Sequence, residues 1–283
     1  MQNTALKQDH KAVFFNAMKM SLKGPGPFQA AFWLVLILMT AFMLTLVGGL
    51  FLYGEWSAFL KVLQQPEFHY AMTFTLWTTL LSTMLAGMVA VPCGFILSRH
   101  NFPGKILVDT LIDIPIVLPP LVSGVALLIL FGPVLGDALT RLGLDIVFSI
   151  RGVIVAQWFI ATPFAVRTFK QAFDSIDPRL EKIARTLGYT PSEVFFKVTV
   201  PMAKKGLLGG LTMAWARTLG EFGATAMLAG IIRMKTETLA VAVFLNMSIG
   251  DMNFAMATSI IMLFLAMFLL AVFKTISRLE ARA

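Results

Sequence analysis

The chain has one cysteine, Cys93, among 283 residues. A single thiol cannot close an intrachain disulfide, so no oxidising-compartment framework is available. Cys93 lies inside an apolar run and reads as a small buried hydrophobe. Charge is scarce as well. Asp, Glu, Lys and Arg make up 13% of the residues, against roughly 25% in a soluble domain. With 58% hydrophobic residues, the chain has too few polar groups to coat a water-exposed surface. That excludes an ordinary soluble globule and leaves lipid as the solvent. His10, His69 and His100 are too scattered to form a metal site. No nucleophile with a base and no paired catalytic carboxylates are evident, so an enzyme is not expected. A phosphate-binding G-x-x-x-x-G-K-[ST] loop is missing too. The one Gly-Lys pair, Gly104-Lys105, is followed by Ile106 and lacks the upstream glycine. If ATP drives this protein, the ATPase must be another chain.

What is present is a series of long apolar runs. Six are long enough for a helix to cross the hydrocarbon core: Ala31–Tyr53, Ala71–Leu97, Ile106–Phe131, Gly152–Phe173, Gly206–Ile231 and Phe254–Phe273. The third contains Pro115, Pro119 and Pro120, which kink a helix that its neighbours must then satisfy. The run beginning at Phe32 is too long for the apolar core of a cleavable signal peptide, so it reads as a retained first span. The net charge of +8 could suggest nucleic acid. Its distribution argues against that, because the basic residues gather between the runs. With both ends inside, 17 of the 23 Lys and Arg fall in inner segments and five in outer ones. The termini are therefore expected in the cytoplasm. The expected fold is all-α: a polytopic membrane protein of about six transmembrane helices. Residues 1–30 form a cytoplasmic tail and residues 31–283 a single transmembrane domain. Within the tail, residues 5–20 could lie on the inner surface as an amphipathic helix with Leu6, Val13, Ala17 and Met20 on one side, or stay mobile.

The connection spanning 174–205 is too long to be a bare loop. Asp177-Pro178 reads as an N-cap followed by proline at the first helical position. That helix should stop at Gly188, a left-handed cap. Thr190-Pro191-Ser192-Glu193 fits a capping box opening a second helix, which should end near Lys197, before Pro201. Ile183, Ala184, Leu187, Val194, Phe195 and Phe196 are more apolar than a solvated loop requires. The resulting knob either meets a protein partner or packs under its own bundle.

The fifth run carries two charges. On a helical wheel Gly206, Gly210, Arg217, Glu221 and Ala224 share one face. Small residues there allow close helix contact. Arg217 and Glu221 are four apart and can pair, which lowers the cost of charge in lipid. They serve either as a structural ion pair or as part of a pathway or gate, together with Gly220 and Gly223. Asp109 and Asp113 are expected to cap a helix or to pair with basic neighbours such as Lys105 rather than to move protons.

Two segments carry a family resemblance. The stretch from Leu180 to Gly188, followed by Val198-Thr199-Val200-Pro201, resembles the EAA coupling loop of ABC importer permeases. Ala184, Gly188 and Pro201 match that pattern. Lys182 stands where the glutamate usually is and Ile183 where the first alanine is, with Glu181 adjacent. Arg217 to Gly230 and Ile114 to Pro120 are similar to molybdate, tungstate and sulfate permeases. The likeness runs from about Ala71 to Phe273. It implies a type I ABC importer permease in the cell inner membrane that acts as a homodimer and binds no cofactor of its own. Two ATPase subunits, which bind the ATP, would dock on Glu181, Lys182, Ala184, Arg185, Leu187, Gly188 and Pro201. A solute-binding protein would deliver the anion to outer loops 54–70, 132–151 and 232–253. The cargo implied is a tetrahedral oxyanion: molybdate or tungstate first, sulfate second. The rival is a secondary transporter or channel without an ATPase. Inverted repeats would favour that rival, yet spans one to three and four to six share no motif.

Overall fold

The computed structural model describes residues 26–53 and 56–282, and among these the regular structure is entirely helical. The expectation for residues 5–20 and His10 lies outside the described residues. The chain divides into two units, Met1–Tyr53 and Gly54–Ala283. The first contributes helix α1, Pro27–Tyr53, with 27 residues and no charge. At about 1.5 Å per residue it is longer than a hydrocarbon core is thick.

The second unit begins with α2, Trp56–Leu63, and the 34-residue α3, Pro66–Arg99. Then come α4, Lys105–Val117, and α5, Pro120–Ile129, which runs on through a wide π turn at Leu130–Val134. A short α6, Gly136–Arg141, leads to α7, Ile150–Asp174. The long connection holds α8, Pro178–Thr186, and α9, Pro191–Val194. Helices α10, Val200–Leu219, and α11, Gly223–Ala229, follow. The chain closes with α12, Leu239–Ser248, and α13, Met252–Arg282.

Four helices are long and apolar enough to cross a membrane, or five if α4 and α5 count as one bent span. The prolines of the third run were expected to kink it, and its two halves meet at 114°. The cause is Pro119-Pro120. A proline drives the residue before it into extended backbone, and Leu118 and Pro119 have ψ of 137° and 135°. The fifth run is also split. Helix α10 stops at Leu219, and the Glu221 carboxylate accepts the Ala224 N–H at 2.8 Å, which starts α11 afresh. Pro201, expected to follow a helix end, instead sits near the start of α10. The π turn Phe195–Thr199 just before it widens the ladder where the proline has no N–H to give.

The core of this unit is the contact of α3 with α7. Ala86, Ala90 and Leu97 from α3 bury against Ala161, Ala165, Val166, Phe169 and Phe173 from α7, and Ala203 and Ala214 of α10 join them. Partly buried Cys93 packs on the same cluster, as its apolar setting suggested. Small residues set the spacing. A Cβ on Gly94 would sit 3.0 Å from the Lys170 nitrogen, and one on Gly206 would sit 2.4 Å from Ala172 Cβ. Replacing Gly206 with valine should therefore cost about 1–3 kcal/mol through overpacking. The expected readout is a lower thermal unfolding midpoint in detergent. Gly49→Ala in α1, where no atom of the described residues lies within 4 Å of the added carbon, should leave the midpoint in place.

Candidate functional site

The expected caps of the long connection are present. Asp177 accepts the Arg179 N–H at 2.9 Å. Gly188 has φ +92°, and Tyr189 N–H closes the turn on Ala184 O at 3.2 Å. Thr190 and Glu193 bond reciprocally: Thr190 N–H to Glu193 Oε2 at 3.0 Å, and Glu193 N–H to Thr190 Oγ1 at 3.3 Å. Lys197 bonds Glu193 Oε1 at 2.8 Å. Lys197 and Thr190 together hold the Glu193 carboxyl down at about 2.

The loop is tied to the end of α3. Arg99 Nε donates to Glu181 Oε1 at 2.9 Å, and Arg99 Nη2 donates to Ile176 O at 3.1 Å. Thr199 Oγ1 donates to the same Glu181 oxygen at 3.1 Å. This ion pair is largely desolvated, with side-chain exposures of 9% for Arg99 and 17% for Glu181. Glu181 therefore faces inward and fastens the loop to its own chain. The sequence reading missed Arg99 as the partner, because no local spacing links residues 82 apart.

The apolar residues divide between two faces, with Phe195 half-buried between them. Ala184 and Val194 are buried, while Ile183, Leu187 and Phe196 are exposed. Lys182 and Arg185 are also exposed on α8, and Pro201 is exposed at the start of α10. One face of the knob thus packs inward, and the other presents three large apolar side chains with a basic rim.

The second site is a hollow where the two broken runs meet. Pro119, Pro120, Leu121, Arg217, Glu221 and Gly223 line it. A Cβ on Gly223 would lie 2.9 Å from Pro120 Cβ, so the breaks touch. Arg217 Nη1 lies 3.0 Å from Glu221 Oε2, with side-chain exposures of 30% and 0%. This is a charge contact without an aligned hydrogen bond, since Oε2 has no such partner among the described residues. The Arg217 guanidinium also stands over the Phe164 ring at 5.9 Å. The shared helical face survives only as far as Arg217. Gly206, Gly210 and Arg217 run antiparallel along Ala172, Phe169 and Phe164 of α7, whereas Glu221 lies beyond the helix end.

Asp109 and Asp113 do pair with basic residues, though not with Lys105. Lys105 Nζ bonds Asn101 Oδ1 at 3.1 Å. Arg167 bonds Asp113, and Lys170 bonds Asp109 at 3.1 Å, tying α4 to α7.

Residues 90–282 match the model of the binding-protein-dependent transport system inner membrane component. The chain belongs to that family. It is a multi-pass inner-membrane permease subunit of the ABC importer type, and ATP hydrolysis lies on a separate subunit. The chain is 32% identical over 230 residues to the sulfate transport system permease protein CysT of Escherichia coli K12, covering 81% of this chain and 82% of that one. It is 34% identical over 216 residues to the molybdenum transport system permease protein ModB of Mycobacterium tuberculosis H37Rv, covering 75% and 81%. Its fold matches a chain of a bacterial alginate ABC transporter, solved with its substrate-loaded periplasmic protein, at TM-score 0.67 and 16% identity over 96% of both chains.

Replacing Arg99 with methionine would strand the Glu181 carboxylate in its desolvated site, at an expected cost of about 3 kcal/mol. The predicted result is a lower unfolding midpoint and faster protease cleavage between Asp174 and Lys205. Glu181→Gln, which keeps an acceptor for Arg99 and Thr199, should cost less.

Proposed function

We propose that this chain is the permease of an ATP-driven importer for a tetrahedral oxyanion, with molybdate or tungstate as first cargo and sulfate as second. The observation that carries the coupling half of the reading is the capped loop with Ile183, Leu187 and Phe196 turned outward. A loop that only packed under its own bundle would bury those side chains. The loop is rigid at both caps and pinned by Arg99, so a push on its outer face reaches the membrane helices without being lost in a flexible segment. Two copies of the chain form the pathway, and one ATPase subunit docks on each copy's loop. The termini and the loop lie in the cytoplasm, as the bias of Lys and Arg indicates. A solute-binding protein delivers the anion on the other side. ATP binding draws the two loops together and opens the path outward, and hydrolysis resets it.

The choice of oxyanion rests on the named relatives, one a sulfate and one a molybdenum permease. Within the pathway we assign Arg217 the contact with the passing anion. Its guanidinium is the charged group of the hollow that keeps some exposure, while Glu221 is fully covered. Gly220 and Gly223 let the two breaks approach.

Two outcomes check this reading. Leu187→Asp should abolish co-purification of the ATPase subunit while the permease itself stays folded. Gly188→Val, forced into a left-handed backbone at about 1–2 kcal/mol, should weaken it. If the wild-type chain retains no ATPase, the importer reading fails. In proteoliposomes with ATPase and binding protein, Arg217→Ala should lower molybdate uptake at least about tenfold, roughly the worth of one charged contact, with assembly unchanged. Loss of assembly instead would assign Arg217 to structure alone.

A further inference from the structure

Helix α3 ends in a charged cluster at each pole. Arg99 holds the coupling loop at one end, and Glu67 lies in the first turn at the other. The Glu67 carboxylate accepts Asn246 Nδ2 at 3.0 Å and stands 3.3 Å from Arg233 Nη2. Arg233 Nη2 is also 3.3 Å from Asn246 Oδ1. Beside Glu67 sits Glu237, whose side chain is wholly buried. Its Oε2 accepts the Met234 N–H at 2.8 Å. Among the described residues its Oε1 meets no donor, and the Glu67 carboxyl lies within hydrogen-bonding reach of Glu237.

Two carboxylates with one arginine leave one negative charge uncompensated in a desolvated place. A buried carboxylate oxygen without a donor is costly, and a proton on it removes both problems at once. Protonated Glu237 can donate to Glu67, and Arg233 then balances the one remaining charge. The groups that face Glu237 are Glu67 and Tyr70 from α3, and Arg233 and the backbone N–H of Met234 from its own loop. The Tyr70 hydroxyl donates to Lys235 O at 2.8 Å, so it has no proton left for Glu237. From α12 comes the neutral Asn246.

We infer that Glu237 and Glu67 share one proton, and that this proton is the catch of a latch tying the loop between α11 and α12 to the start of α3. The loop is built to be held. Met234 sits at φ +55°, a strained backbone for a non-glycine residue, and it is the residue whose N–H reaches Glu237. Thr236 Oγ1 donates to Gly230 O at 2.9 Å, so the latch reaches the end of α11. The start of that same short helix is capped by Glu221 in the hollow. Releasing the latch therefore loosens the far end of the element that forms the hollow.

The sign follows from the burial. Burial, opposed by the Met234 N–H and reinforced by Glu67, pushes the Glu237 carboxyl up from 4.5 to about 7. The folded state thus holds a proton that the unfolded chain gives up earlier. Stability from the latch is complete at pH below 4.5, falls as pH rises from there to about 7, and is gone above it.

The test uses the full chain in lipid nanodiscs, with hydrogen–deuterium exchange corrected for intrinsic rates, between about pH 5.5 and 8.5, bracketing that titration. Protection of residues 231–238 should fall about tenfold across a midpoint near 7, while residues 177–200 show no step. Glu237→Gln stays uncharged and should remain protected throughout. Glu67→Gln leaves Glu237 in place but removes its charged neighbour, so the midpoint should move to lower pH. A wild-type loop with no step overturns the latch, as does a step that survives in Glu237→Gln. Should Glu237→Gln fail to fold, a midpoint unmoved in Glu67→Gln overturns it on its own.

Discussion

Lipid offers no hydrophobic force to push helices together, so association depends on how closely the backbones approach. In the Gly54–Ala283 unit that constraint falls on the contact between α3 and α7. The residues that meet are alanines and glycines: Ala86, Ala90 and Gly94 on one side, Ala161 and Ala165 on the other. Helix α10 joins by the same device, with Gly206 and Gly210 laid on Ala172 and Phe169. Once these three helices are fixed, the places available for polar groups are fixed too. Trp215 Nε1 reaches Thr79 Oγ1 at 2.9 Å, and Ser82 Oγ reaches Gln157 Oε1 at 3.2 Å. Such bonds orient the helices, and the small residues let them form.

Broken helices are tolerable only where the freed backbone finds new partners. Both breaks meet that condition at one point. The α4–α5 break is enforced by Pro119-Pro120, and the break before α11 is paired with Glu221 as a cap. They touch through Gly223, so each break covers part of the other. A carboxylate just ahead of the first turn of α11 also favours the helix dipole.

Local chemistry was legible in the sequence, and distant chemistry was not. Asp177, Gly188, Thr190 and Glu193 announced their caps because a cap needs only the next few residues. The long straight runs were legible for the same reason. The split of the fifth run was not, since Glu221 was read as a point on a continuous wheel and its role as a cap was missed. Asp109 and Asp113 were read with Lys105 because it was near in sequence. Their partners Arg167 and Lys170 lie on α7 and come close only once that helix packs. Glu181 was read as an outward contact for a related reason, since Arg99 becomes its partner only after α3 and the loop meet. Glu237 drew no attention at all. Its one signal was a lone carboxylate separated only by Thr238 from the apolar stretch Leu239-Ala240-Val241-Ala242-Val243.

The Arg217–Glu221 contact is asymmetric, and the proposed anion contact of Arg217 rests on that asymmetry. A charge in lipid costs about 2.5–3.5 kcal/mol on insertion scales, so a purely structural pair should bury both members and saturate their bonds. Glu221 meets that description on one side only. It is fully covered and caps α11 through Oε1, yet Oε2 keeps no aligned donor. Arg217 keeps 30% exposure and rests on the Phe164 ring. Glu221 is therefore bound into the frame by its cap, whereas Arg217 is held only by a charge contact and a ring face. The proposal therefore gives the anion contact to the arginine, whose exchange of partner would unmake no helix.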